Sequence, residues 1–354
     1  MRTKPASACR IFVAKPWRIC NPILFPRLSL EALLMKLPIS INRQVEPLVR
    51  SLSEQAWSLR IVESPTEEGV WVVDAGINAI GGIEAGRQIA EICMGGMGQA
   101  TLTYGGSGDW PLTIHVHTQH PVLACLASQY AGWSLSDKES GFHALGSGPA
   151  RSMAQREELF GKIGYKDSYI YTTLVMEVDK VPPRAVREKI CEDCGVEPFN
   201  LTLILTPTTS LAGTVQVVGR VLEVGLHKAH ELGFDLNCVV DGIGSAPIPP
   251  LDNSDTVRMM GRTNDAILFG GQIKLFVQSS DEEAERLATE LPSSTSRDYG
   301  KPFATVFKEH DYDFFQIDPM LFSPARVLVN NIRTGRSFSA GTIDLELLEQ
   351  SFKE

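Results

Sequence analysis

Apolar positions change period several times along the chain. Val45, Leu48, Val49, Leu52 and Ala56 recur at helical spacing and predict an amphipathic first helix. The run GVWVVDAGI over 69–77 reads as a strand. Gly81-Gly82 then opens a second helix with Ile83, Ile89, Ala90 and Ile92 at its apolar positions, and Gly95-Gly96 stops it. Strand-like runs follow at 100–104 and 112–116, then a helix over 121–131. Later strands are predicted at 169–178, 201–205, 238–240 and 272–277, and helices over 183–194, 213–232, 281–290 and 302–309. Strands come in pairs as often as they alternate with helices, so the pattern predicts α+β rather than a doubly wound sheet.

At 354 residues the chain exceeds the size at which one core usually keeps growing, which favours two domains. We expect a first α+β domain over 36–160, completed by 291–354, and a second over 161–290. The first 35 residues carry Arg2, Lys4, Arg10, Lys15, Arg18 and Arg27 against the single acid Glu31. Pro16, Pro22 and Pro26 interrupt the apolar core that a secretory signal needs. Residues 1–35 therefore read as a flexible extension, with Met35 a candidate start.

Composition narrows the function classes. Hydrophobic residues at 43% and charged residues at 21% are ordinary for a globular chain. A net charge of −9, from 33 Lys plus Arg against 42 Asp plus Glu, argues against a nucleic-acid partner, because phosphate contacts need a concentrated positive surface. No stretch reaches the roughly 18 apolar residues of a membrane span. Seven scattered cysteines do not form a disulfide framework and read as reduced thiols, which fits a cytoplasmic protein.

The glycine clusters lack the G-x-G-x-x-G and P-loop spacings, so dinucleotide and nucleotide-triphosphate readings fall. Gly146-Ser147-Gly148, followed by Arg151, is the most suggestive cluster: small residues whose amides could approach a flat or anionic ligand. Cys191 and Cys194 have C-x-x-C spacing, but no second ligand pair completes a zinc site. His115, His117 and His120 have no acid or thiol at ligand spacing, so no metal is expected. No G-x-S-x-G elbow is present. In the predicted helix 213–232, Gln216, Arg220, Glu223, His227 and His230 are spaced 4, 3, 4 and 3, a narrow polar stripe between apolar flanks. Such a strip suits a helix lining a cleft, and Arg220 and Glu223 at i, i+3 can pair. The loop SSTSRDYGKP packs Arg297 and Lys301 into an exposed-looking turn, either a plain surface loop or an anion-recognition loop.

Together these stretches resemble one family, the methenyltetrahydromethanopterin cyclohydrolases. The resemblance is carried by VDAGIN around 74–78, GGIEAGRQIAEICMGGMG at 81–98, HPVLACLASQYAGW at 120–133, LGSGPAR at 145–151 and PTTSLAGTVQVVGRVLE at 207–223. NDAILFGG at 264–271, PSSTSRDYGKPF at 292–303 and IDPMLFSPA at 317–325 extend it to eight collinear blocks. Two departures stand out: the front extension is foreign to the family, and Ala75 occupies a place where a Cys is common.

The resemblance implies two α+β domains flanking a deep substrate pocket and assembly as a homotrimer. It implies reversible hydrolysis of 5,10-methenyl-tetrahydromethanopterin to the 5-formyl compound, in the direction of formaldehyde oxidation, with no metal and no redox cofactor. The R-x-x-E spacing matches the family's catalytic pair and gives Glu223 the role of general acid/base and Arg220 that of its partner. Gly146, Ser147, Gly148, Arg151, Arg297 and Lys301 are the expected substrate-binding residues. A non-catalytic pterin-binding or interaction protein of the same fold is the alternative.

Overall fold

A computed structural model of the chain describes residues 39–105, 109–313 and 316–353; the expected extension 1–35 lies outside them. The amphipathic pattern near 45 forms α1 (Ile41–Glu54), capped by the Ser40 side chain, which accepts from the Arg43 amide. Strands β1 (Val62–Pro65) and β2 (Trp71–Asp74) follow, then α2 (Ile83–Cys93). Next come β3 (Gly98–Tyr104) and β4 (Leu112–Thr118). The apolar run after His120 forms a π-helix, Val122–Gln129, closed by the Tyr130 amide donating to the Cys125 carbonyl at 2.7 Å. π-helices of this kind often mark functional sites.

The hairpin β5 (Trp133–Asp137) and β6 (Phe142–Ser147) leads into β7 (Thr172–Met176), α3 (Arg184–Cys194) and β8 (Leu201–Leu205). Two consecutive helices, α4 (Leu211–Val218) and α5 (Val221–Glu231), precede β9 (Val239–Pro247) and α6 (Thr256–Leu268). Strand β10 (Gln272–Val277), α7 (Asp281–Glu290) with its Ser280–Glu283 capping box, and α8 (Phe303–Glu309) come next. The chain closes with β11 (Arg326–Asn331), β12 (Ser337–Gly341) and α9 (Leu345–Lys353).

Two six-stranded mixed sheets result, in the orders β1-β2-β8-β7-β6-β5 and β12-β11-β10-β9-β4-β3. This is the expected α+β class. The strands of the two sheets interleave along the chain: the first sheet is drawn from 62–205 and the second from 98–118 and 239–341. In the first sheet β7 and β8 are buried at every residue, as parallel neighbours covered on both faces must be. One face packs on α3 through Val186 and Ile190; the other packs on α1 and α2 through Val45, Val49 and Ile89.

Helix α5 lies on the second sheet. Its Val221, Leu222 and Leu226 join Ile273 and Leu275 in the largest core cluster. Burying side chains of this size contributes on the order of 1.5–3 kcal/mol each, enough to fix which face of α5 is turned inward. The opposite face carries Glu223 and His227 toward Tyr130, at the end of the π-helix. Helix α4 is clamped between α2 and α6, and the α2 contact needs Gly86: a Cβ there would lie 2.6 Å from the Ala212 carbonyl oxygen.

Candidate active site

The polar stripe does not lie on one helix. The chain breaks at Gly219–Arg220, where Gly219 caps α4 and Arg220 (φ −83°, ψ 2°) begins α5. Apolar packing explains the break: α4 must follow α2 while α5 must lie on the second sheet, and hydrophobic spacing alone cannot register the change of direction. The Gly219 carbonyl at the break accepts from Gln129 Nε2 at 3.1 Å, which ties the junction to the end of the π-helix.

Gln129 is the hub of the site. Its carbonyl accepts from Ser147 Oγ at 2.6 Å and from Arg220 Nη1 at 2.9 Å. Arg220 Nη2 reaches Glu177, just beyond β7, at 3.1 Å, and Gln216 Oε1 at 3.3 Å. Gln216 is itself fully buried, and its Nε2 donates to Glu177 Oε1 and to Thr206 Oγ1, each at 3.3 Å. Two buried polar atoms in this network have no hydrogen-bond partner among the described residues: Arg220 Nε and Gln129 Oε1. Unmatched buried groups carry a desolvation cost of about 1–3 kcal/mol and mark places where a ligand or water is wanted.

Glu223 lies one turn on from Arg220 and is only 3% exposed. It forms no hydrogen bond or ion pair among the described residues. Burial pushes its carboxyl up to about 7, opposed by the Arg220 and Arg151 charges and reinforced by Glu177. Beside it, Tyr130 stacks on His227 with ring centroids 4.4 Å apart. Burial, then the Glu223 charge, pushes the Tyr130 phenol up to about 12, and burial lowers His227. Near neutral pH this is a site with one carboxyl poised to gain or lose a proton, between a neutral phenol and an imidazole that burial disfavours charging.

The family model described as Cyclohydrolase (MCH) matches residues 40–352. The chain belongs to the cyclohydrolase (MCH) family. It is 57% identical over 314 residues to the methenyltetrahydromethanopterin cyclohydrolase of Methylobacillus flagellatus, covering 88% of this chain and 95% of that one. It is 50% identical over 316 residues to the enzyme of the same name from Methylobacterium organophilum, 88% and 97% of the two chains. The like-named protein of Methanothermobacter marburgensis is 42% identical over 320 residues, 89% and 99% of the two.

The fold gives each expected site residue of this family member its own surroundings. Arg220 and Glu223 do not form the expected ion pair, because the Arg220 guanidinium is turned to Glu177 and Gln216. Arg151 is engaged by the protein itself. It is fully buried, paired with Glu157 through both Nε and Nη2, and its Nη1 donates to the Leu126 and Ser128 carbonyls of the π-helix. Gly146, Ser147 and Gly148 are buried as well. Gly148, at φ +98°, donates its amide to the Ser128 carbonyl at 2.8 Å, so that amide is taken up within the protein.

Arg297 and Lys301 sit apart on an exposed loop, their side chains 72% and 55% exposed, and Lys301 pairs with Glu309 at 2.7 Å. That loop is joined to α5 by buried Lys228, whose Nζ donates to the Pro292 carbonyl, Thr295 Oγ1 and the Met320 carbonyl. Lys228, Gln129, Tyr130 and Glu177 are the residues the sequence reading missed. Gln129 and Tyr130 stood inside the matched block 120–133, but nothing local to Glu177 or Lys228 singles them out.

His115 bonds Thr103 Oγ1 at 2.9 Å, while His117 and His120 are exposed. Among the described residues no group of three or more His, Cys, Asp or Glu side chains is placed to hold a metal ion. No helix among them is long and apolar enough to cross a membrane. A cavity of about 360 Å³ lies elsewhere, between α1 and the edge of the first sheet, lined by Glu46, Glu63, Trp71 and Phe199 among others. None of the expected site residues lines it.

Proposed function

We propose that the chain catalyses the reversible hydrolysis of 5,10-methenyl-tetrahydromethanopterin to 5-formyl-tetrahydromethanopterin, with Glu223 as general acid/base. The observation that carries this reading is Glu223 itself: a buried carboxyl without a bonded cation, held near neutrality beside a polar network whose Arg220 Nε and Gln129 Oε1 have no partner among the described residues. Near-neutral proton affinity suits a group that must both take and return a proton.

In the forward direction, water attacks the carbon of the substrate's N5–C–N10 amidinium. The new C–O bond forms as Glu223 takes the water proton. The protonated carboxyl then delivers that proton to N10, the C–N10 bond breaks, and the carbinol O–H proton leaves as the formyl C=O forms. The net change is addition of one water to a cation and release of one proton. Neither step transfers electrons, so the pterin derivative is the substrate and no redox cofactor or metal enters the reading. Arg220 acts by holding the Gln129 carbonyl and Glu177 in place, and Arg297 and Lys301, on the exposed loop, are offered to anionic groups of the pterin tail.

Membership of the family and its like-named relatives support the substrate class. The homotrimer, the cytoplasmic setting, the pocket between two domains and the formaldehyde-oxidising direction belong to the same proposal. Mixing the purified chain with the methenyl substrate should bleach the methenyl absorbance at a rate proportional to protein. Steady absorbance in the face of measurable binding would leave a pterin-binding protein and overturn the proposal.

A further inference from the structure

The site contains two buried arginines, and each already has a carboxylate of its own. Arg151 is paired with Glu157, and Arg220 with Glu177 at 3.1 Å. Glu223 is the carboxyl left over. One helical turn separates it from Arg220, a spacing at which acid and base commonly pair. Yet Arg220 is drawn the other way by three contacts: Glu177, the Gln216 Oε1 at 3.3 Å and the Gln129 carbonyl at 2.9 Å. Gln216 reinforces the arrangement, since its amide also donates to Glu177 at 3.3 Å.

We infer that Glu177 is a positioning residue that keeps Arg220 from Glu223 and thereby holds Glu223 ready for both proton transfers. The inference rests on the assignment of Glu223 as acid/base. Its physical content is charge matching in a desolvated site. With Glu177 present, cations and paired carboxylates balance and the Glu223 proton is retained up to near-neutral pH. Without it, Arg220 is an unmatched buried cation, and Glu223 is the carboxyl within reach that can neutralise it.

The groups facing Glu223 come from several elements. Arg220 and His227 lie on its own helix, Cys125 and Tyr130 on the π-helix and just after it, Cys93 ends α2, Arg151 follows β6, and Glu177 follows β7. Of these charges, Arg220 and Arg151 favour the ionised form of Glu223 and Glu177 disfavours it. Removing Glu177 therefore acts twice in one direction: a like charge is lost, and Arg220 is released. Neither effect requires a change of fold, because the Glu177 side chain is 33% exposed.

The test is the pH profile of hydrolysis by the full chain in the parent, Glu177→Gln, Glu177→Asp and Glu223→Gln. The acid limb of kcat/KM reports ionisation of the essential base in the free enzyme. In the parent it should fall near the value of about 7 that burial gives Glu223. In Glu177→Gln it should move down by about one pH unit or more, with Glu177→Asp, which keeps the charge at a longer reach, lying between. The formyl-to-methenyl direction, which needs the protonated acid, should lose activity at neutral pH in the same order. A limb that stays in place in both variants overturns the inference, whatever happens to KM. Near-parental turnover in Glu223→Gln is a different outcome and overturns the function reading itself. If Glu177→Gln fails to fold, an unmoved limb in Glu177→Asp suffices to reject the inference.

Discussion

Replacing Glu223 by Gln should make the protein more stable at neutral pH, and the gain should depend on pH in a defined way. The folded carboxyl is raised to about 7 from an ordinary 4.5, chiefly by burial. A raised group contributes its full stability below its unfolded value, and loses it as pH rises through the folded one. Below about pH 4.5 both states hold the proton, and Glu and Gln should be nearly equivalent. Between about 4.5 and 7 only the folded state holds it, so the parent loses about 1.4 kcal/mol of stability per pH unit. Above about pH 7 the loss levels off near 3 kcal/mol, which Gln avoids because it has nothing to ionise. Urea denaturation of the two proteins at pH 5, 6, 7 and 8, read as the difference in midpoint times slope, measures the divergence directly. Parallel stability curves over that range would show that Glu223 is solvated, and would remove the physical basis of its proposed role.

Two further outcomes follow from these placements. Arg151→Met should cost about 3–5 kcal/mol of stability by leaving Glu157 as a buried unpaired charge, measurable by denaturant melts; a raised KM with unchanged stability would assign Arg151 to ligand binding instead. Lys228→Met should leave the Met320 carbonyl without its donor, at about 1–3 kcal/mol. It should also speed limited proteolysis within 292–302, whereas an unchanged cleavage rate would show that the loop is held by something else.

How far the chain could be read in advance depends on the range of the interaction. Helices with strong caps or glycine stops, such as 83–93 and 281–290, and the largely apolar strand 201–205 were legible because local spacing decides them. Strands β11 and β12 were missed. Ser337–Gly341 has few apolar residues and owes its place to pairing with β11, a contact between segments. The helix 213–232 was read as one piece because Val217, Val218, Val221 and Leu222 keep an unbroken apolar face across Gly219.

The same limit governs the site. Arg220 and Glu223 were identifiable from spacing and family pattern, but the partner that Arg220 takes lies 43 positions earlier in the chain, at Glu177. Arg151 stood in a suggestive Gly-Ser-Gly context whose small residues turn out to be required by close packing at the end of β6. Sequence proximity could not show that Arg151 is buried and paired with Glu157.

The central claim is that Glu223 moves the protons of the hydrolysis. It is tested most directly by the turnover number of Glu223→Gln, followed by the loss of methenyl absorbance under saturating substrate, with binding measured separately. Gln preserves shape and removes basicity, so kcat should fall by about 10²–10⁴-fold while the substrate still binds. A kcat within a few-fold of the parent would contradict the account.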